Sequence, residues 1–339
     1  MRIAILDVAN QDIGIKILFP SADYYIFQSR IGGEYLFKKH NINILKNIEN
    51  INDKNYDYLF VIISLFNSIK IYREDNGKLH HNFIEITEKN FLRVNDIINN
   101  NNFKNVSIFA NCDMDYEPNI IYKHFNIKKN ITFFKRNCSN LINYPNNVFP
   151  FPYFIFLRDN YCIIDSLIDL KPPINRQKEN RLFFSGAVYC HIDDVYPVYR
   201  DRKGIIDKIR AKIPIFYQPH NMNHSNYLNE MQLSKFCLDI VGAGDPNLRT
   251  FEILHCGSLL ISQRTPLVWN FENGDSFSDE TIFDDENDLY HKLFNLVTNE
   301  ELYNKCLNNQ LYLVQKYMTA EYMRNYIIEK INCNNAIMQ

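Results

Sequence analysis

The sequence predicts an α/β protein of two domains, each with a largely parallel sheet between helices, and three observations carry the prediction. Short apolar runs rich in strand-forming residues alternate with helical or polar stretches through the first half, which is the rhythm of βαβ units. A polar tract bearing Pro172 and Pro173, KPPINRQKEN, then interrupts the pattern, and the same alternation restarts after it. At 339 residues the chain is about twice the usual domain length.

The elements follow in order. Strands are expected at Arg2 to Val8, Tyr24 to Gln28, Tyr58 to Ser64, Val106 to Ala110 and Ile131 to Phe134, with helices at Gly33 to His40 and Phe91 to Asn99. The run Asn99 to Asn102 reads as a solvated turn. A break follows at VFPFPYFIF, where Pro150 and Pro152 remove backbone donors. Residues 1–155 are therefore assigned to a first domain, 156–180 to a linker and 181–318 to a second domain. Within the second, strands are expected at Arg181 to Ser185, Ile213 to Tyr217, Phe236 to Val241 and Ser258 to Ser262. Helices are expected at Lys203 to Lys212, Tyr227 to Ser234, Leu248 to Cys256, Asp288 to Thr298 and Glu300 to Tyr317, with a last one at Ala320 to Ile331.

Composition narrows the class. With 46% hydrophobic and 22% charged residues, 10 Gly and 12 Pro, the chain is neither collagen-like nor mainly disordered. A net charge of −2 leaves no long-range field to gather nucleic acid or anionic lipid, so neither is expected as a partner. The eight cysteines lack the CxxC spacing of a zinc site or redox dithiol and read as reduced thiols. The N-terminal MRIAILDVANQDIG turns polar after eight residues, and no apolar run approaches the roughly 20 residues that cross a bilayer. A soluble, cytoplasmic protein without a membrane span is the expectation.

The most informative segment is SKFCLDIVGAGDPNLRTFEILHCGSLLIS, Ser234 to Ser262. Its strand, glycine-containing loop and helix place backbone N–H groups and a helix dipole where an anion is favoured. Gly242, Gly244 and Asn247 in the loop are candidate binding residues, the glycines because they permit close backbone approach. Arg249 falls in the first helical turn, where a cation is locally unfavourable by up to about 1 kcal/mol; an anionic ligand accounts for it, and diphosphate is the natural one. Glu252, three residues on and on about the same face, is then placed to accept hydrogen bonds from sugar hydroxyls. A plain salt bridge or capping role for the pair stays open, and GAG alone matches neither the dinucleotide nor the P-loop spacing.

Phe183-Phe184-Ser185-Gly186, then S-K-F-C-L at Ser234 to Leu238, then R-T-F-E-I-L-H-C-G-S-L-L-I at Arg249 to Ile261, resemble the C-terminal half of exostosin-like glycosyltransferases. The resemblance covers about 80 residues and hardly touches the first half. Leu259-Leu260 stands where that family usually has Ile-Pro. The resemblance implies a GT-B fold, two Rossmann-like α/β domains facing a cleft, and inverting transfer without an essential metal or other cofactor. The donor would be a nucleotide diphosphate sugar, UDP- or GDP-linked, and the acceptor a glycan or glycoprotein. It also implies that Arg249 meets the diphosphate, Glu252 the ribose or donor sugar, and that Gly186 lets the first loop approach the phosphates. Arg202 and Lys203 match a basic position after that loop, a solvated helix start being the alternative. The segment 319–339 would return to the first domain, as GT-B chains commonly do.

An inverting transfer needs a base for the acceptor hydroxyl. Asp12, after the first strand, and Asp113 and Asp115, after SIFA, are candidates, turn or capping roles being the alternative; His80-His81 is a weaker one. His220, His224 and the aromatics of IFYQPHNMNHSNY are candidates to line a base pocket, surface-loop packing being the alternative. Three other readings stay open: a metal-dependent GT-A transferase using Asp113 and Asp115, a nucleotide-sugar 2-epimerase, and a non-catalytic binding module.

Overall fold

The computed structural model describes residues 2–8, 14–26, 44–45, 48–51, 55–63, 92–101, 103–110, 131–136, 138–152, 177–186, 197–219, 222–241 and 246–337. The chain divides into two compact units. The first comprises Met1–Ile164, Leu267–Asn270 and Ala320–Gln339, and the second Asp165–Pro266 with Phe271–Thr319. The expected linker at 156–180 and the expected helix at Gly33 to His40 lie largely or wholly outside the described residues.

The first unit holds a seven-stranded sheet in the order β3-β2-β1-β4-β5-β6-β7. Its strands are β1 (Ile3–Asp7), β2 (Asp23–Ile26), β3 (Ile44–Leu45), β4 (Tyr58–Ile63), β5 (Asn105–Ala110), β6 (Ile131–Lys135) and β7 (Val148–Pro150). Every pairing is parallel. Parallel strands need covered faces, so they read as continuous apolar runs: IAILD is buried throughout, and so are residues 59–63 of β4. Helix α1 (Gly14–Leu18) buries Ile15 and Leu18, and helix α2 (residues 92–100) buries Val94, Ile97 and Ile98, the i, i+3, i+4 spacing of one helical face.

Two edge strands depart from the sequence reading. Pro150 was expected to break the chain, yet it ends β7, whose only neighbour among the described residues is β6; an edge position tolerates the missing N–H. The next amide restores the ladder, with Phe151 N donating to Lys135 O at 2.8 Å. β3 is two residues long, too short for strand periodicity to mark it. The last helix, Ala320–Ile337, packs within this unit: Tyr326 donates to Pro150 O at 2.9 Å, and Asn334 Nδ2 to Thr132 Oγ1 at 3.1 Å.

The second unit holds a parallel sheet of five strands in the order β12-β11-β10-β8-β9. These are β8 (Glu179–Phe183), β9 (Phe216–Tyr217), β10 (Ser234–Asp239), β11 (Leu259–Gln263) and β12 (Ile282–Phe283). The helices are α3 (Pro197–Lys212), α4 (His224–Leu233), α5 (Leu248–Cys256), α6 (Glu286–Thr298) and α7 (Glu300–Tyr317), which makes the last helix of the chain α8. β9 is shorter than expected because Ile213 still donates to Ile209 O and Phe216 turns back onto Ile213 O, leaving two residues to pair with β8. α5 keeps its expected bounds. Asn247 caps its start, and Gly257 at φ 65° ends it in a conformation that side-chain-bearing residues rarely adopt. Among the described residues no helix is long and apolar enough to cross a membrane, and five cysteines are free thiols.

Read from β8, the second sheet has the order 2-1-3-4-5. The chain leaves β8 toward β9 through α3 and leaves β10 the other way, through α5 to β11. In such sheets the crevice at the carboxyl ends of the two central strands is where ligands bind.

A polar cluster staples α7 to the preceding loop. Asp275 accepts from Tyr317 Oη at 2.6 Å and from Lys316 Nζ at 2.9 Å, with Tyr312 Oη at 3.1 Å. The Tyr317 hydroxyl first, then Lys316, hold its carboxyl below the ordinary value. A depressed carboxyl stabilises the fold above about pH 4, and that contribution is lost as pH falls through the lowered value. The melting temperature of Asp275→Asn should therefore fall less than that of the parent between pH 6 and pH 3. Equal slopes would show that the cluster does not contribute.

Candidate functional site

The crevice at the ends of β8 and β10 is built from residues far apart in sequence. Phe184, Ser185 and Gly186 follow β8, Asp239 ends β10, and the first turn of α5 brings Asn247, Arg249 and Thr250. Asp239, its side chain 6% exposed, organises this end. Asn247 Nδ2 donates to its Oδ1 at 2.8 Å, and Thr250 Oγ1 donates to its Oδ2 at 2.5 Å. Asn247 Oδ1 meanwhile accepts from Thr250 N at 3.3 Å. The Asn247 side chain, expected among the ligand-binding groups, is thus spent on the helix cap and on Asp239.

Arg249 is held differently. Its guanidinium lies over the Phe184 ring with Cζ 4.6 Å from the centroid, a stacked cation–π arrangement. Nη1 is 3.8 Å from Asp239 Oδ1, beyond hydrogen-bond reach, and Nε and Nη1 are buried with no hydrogen-bond partner among the described residues. Leaving a buried donor unmade costs about 1–3 kcal/mol, and more for a charged one. The side chain is 12% exposed, so the arrangement offers charged donors to an anion entering the crevice.

Gly186 has a reason that local sequence did not indicate. A Cβ built on it would lie 1.9 Å from Arg249 Nη2 and 2.9 Å from Cζ. The glycine makes room for the guanidinium itself.

The two basic residues expected beside the diphosphate separate. Arg202 is 4% exposed, donates from Nη2 to Ile240 O at 2.8 Å, and lies 5.9 Å from the Phe184 ring that Arg249 also covers. Lys203, expected with it, is half-exposed and pairs with Asp207 one turn on at 2.5 Å. Adjacent helical residues point about 100° apart, so only one of the two turns toward Phe184.

Glu252 is 5% exposed and both its oxygens carry a donor. His224 Nε2 lies 3.0 Å from Oε1, and Tyr227 Oη donates to Oε2 at 2.8 Å. Burial, with the neighbouring Glu252 charge, pushes the Tyr227 phenol well above its ordinary pKa, while Arg249 acts in the opposite direction. His224, expected in a base pocket, faces this carboxylate instead.

Asp239 and Phe184 are site residues that sequence reasoning missed, while Tyr227, one of the aromatics expected to line a base pocket, is found donating to Glu252. The signal available for Asp239 was an acid closing a buried strand directly before a glycine loop. Gly242, Gly244, Asp12, Asp113, Asp115, His80, His81 and His220 lie outside the described residues. At the corresponding edge of the first sheet, Asp7 ends β1 fully buried and accepts from Tyr24 Oη at 2.5 Å. Among the described residues no group of three or more His, Cys, Asp or Glu is arranged to hold a metal ion.

Two parallel-sheet α/β units with these strand orders place the chain in the GT-B fold class, and comparison with solved structures agrees. T4 phage BGT in complex with its UDP-glucose substrate is similar over 98% of this chain and 99% of its own, with a TM-score of 0.52 and 12% identity. The DNA-modifying enzyme beta-glucosyltransferase, determined with and without its substrate uridine diphosphoglucose, matches over the same shares at a TM-score of 0.50 and 12% identity. Residues 192–329 match the sequence profile of a family described as Glycosyl transferase-like, a stretch that includes Arg202, Tyr227, Asp239, Arg249 and Glu252. No curated protein matches the sequence. The narrower exostosin-like resemblance is not part of these findings.

Proposed function

We propose that the chain is a glycosyltransferase that moves a sugar from a nucleotide diphosphate sugar to a hydroxyl of a glycan or glycoprotein. The observation that carries this reading is Arg249: a buried guanidinium at the switch point of a GT-B sheet, inside the matched segment, with two nitrogens that make no hydrogen bond among the described residues. As a glycosidic bond to diphosphate breaks, negative charge grows on the leaving group, and fixed donors aimed at it lower the barrier. Arg249 supplies them. Arg202 anchors the end of β10 through Ile240 and adds its charge beside the same ring. Glu252 takes the ribose hydroxyls, each of its oxygens keeping a lone pair after serving His224 or Tyr227.

The rest of the reading is inversion without an essential metal, with Asp12 or Asp115 as the base that takes the acceptor's proton. A UDP- or GDP-linked donor is favoured, since the similar T4 structure holds UDP-glucose. The similar beta-glucosyltransferase is described as DNA-modifying; here a net charge of −2 provides no field for a polyanion, which favours a glycan acceptor.

The test is a thermal-shift screen against UDP-, GDP-, TDP- and CMP-sugars. A ligand at a hundred times its dissociation constant adds about 2.7 kcal/mol of stability, so one base class should raise the melting temperature by several degrees. Incubation of the purified protein with that labelled donor, with and without a strong chelator, should then give transfer or slow hydrolysis in both. Isomerised donor would identify an epimerase, binding without turnover a binding module, and loss of activity on chelation a metal-dependent enzyme.

A further inference from the structure

We infer that Tyr227, assisted by His224 one turn earlier, is a positioning residue for Glu252, and that the pair makes the site selective for ribose over 2′-deoxyribose. The inference rests on the reading of Glu252 as the group that meets the donor's ribose.

An unrestrained glutamate side chain samples many rotamers, and a carboxylate that must meet two hydroxyls at once loses affinity for each one it explores. Here both oxygens are pinned from outside α5, by two side chains of α4. Those side chains are themselves fixed. The Tyr227 ring lies 5.9 Å from the Phe183 ring and 5.8 Å from that of His224. Asn223 caps α4 by accepting from Asn226 N at 2.9 Å. The far end of α4 is tied to the region just after α5: Ser258 Oγ donates to Met231 O at 2.6 Å, and Lys178 Nζ reaches Gln232 O at 2.8 Å and Ser258 Oγ at 3.0 Å. The Tyr227 phenol, raised well above its ordinary pKa, keeps the proton it donates throughout the neutral range.

A carboxylate offers about four acceptor positions. Two serve Tyr227 and His224, and the two left equal the number of donors in one vicinal diol. A 2′-deoxyribose fills one and leaves the other unmet in a nearly dry site. A site built to accept a hydroxyl's hydrogen bond discriminates sharply against the analogue lacking it.

The experiment compares dissociation constants by calorimetry for UDP against 2′-deoxyUDP and for GDP against 2′-deoxyGDP, with pyrophosphate alone as a measure of the Arg249 contact. The parent should prefer the ribonucleotide by about tenfold or more. Tyr227→Phe should reduce that preference severalfold toward the level of Glu252→Gln, with a smaller change in pyrophosphate affinity, since Arg249 also interacts with the Tyr227 hydroxyl. His224→Gln, which keeps a donor, should preserve more of the preference than His224→Ala, and that pair decides the matter should Tyr227→Phe fold poorly. A preference lost in Glu252→Gln but retained in both Tyr227→Phe and His224→Ala overturns the positioning role and leaves the Glu252 reading standing. A preference unaffected even by Glu252→Gln overturns that reading and this inference with it.

Discussion

Replacing Arg249 with alanine is expected to lower the rate of sugar transfer about ten- to a hundredfold or more while the fold persists. Charge-assisted hydrogen bonds contribute roughly 1.5–3 kcal/mol each, and 1.36 kcal/mol is tenfold in rate. The guanidinium has two buried nitrogens to give, Nε and Nη1, and neither makes a hydrogen bond among the described residues. The fold should tolerate the loss because Asp239 does not depend on Arg249: its oxygens are already bound to Asn247, which caps α5, and to Thr250 in its first turn. Arg249→Lys should restore little, since an ammonium lacks the planar fork and the stacking on Phe184. Turnover at saturating donor, measured beside the melting temperature, checks this. Full activity in Arg249→Ala would remove the basis of the proposed function.

Gly186→Ala should produce a comparable loss of activity from a smaller chemical change. The new methyl group would lie 1.9 Å from Nη2, a separation no pair of non-bonded atoms sustains. The atom that yields is the far end of a flexible side chain rather than backbone, and Gly186 has no left-handed backbone conformation that would itself resist alanine. Relief is therefore cheap for the fold and costly for the site. Phe184 loses its stacked cation, and the guanidinium leaves the position from which it serves the diphosphate. The expected signature is a near-parental melting temperature with transfer reduced at least tenfold, about 1.4 kcal/mol in barrier. A double variant with Arg249→Ala should then be scarcely slower than Arg249→Ala alone, because both changes remove the same interaction. Additive losses would mean that Gly186 acts through something else.

Much of this was legible in local sequence. Asn247 and Gly257 bracket α5 with capping chemistry, so its bounds could be read directly. Arg249 and Glu252 stood out through their three-residue spacing and the cost of a cation at a helix start. β1 and β4 announced themselves as buried parallel strands by unbroken apolar runs. What stayed hidden is long-range. Nothing near Glu252 indicates that a tyrosine 25 positions earlier donates to it, and nothing near Gly186 indicates that an arginine will occupy the space of its missing side chain. Edge strands were hidden for a different reason: β7 contains a proline that only an edge accepts, and edge status is set by topology. Arg202 and Lys203 were indistinguishable as a basic pair until helix phase separated them.

The assignment of α8 to the first unit has a bearing on how the protein is made. Translation delivers β1 before the residues of the second unit and α8 after them, yet the two belong to the same unit. On the ribosome β1 waits for α8, while the unit encoded between them has all its residues once Thr319 has cleared the exit tunnel. The order of synthesis is thus the reverse of the order in which the two units become complete.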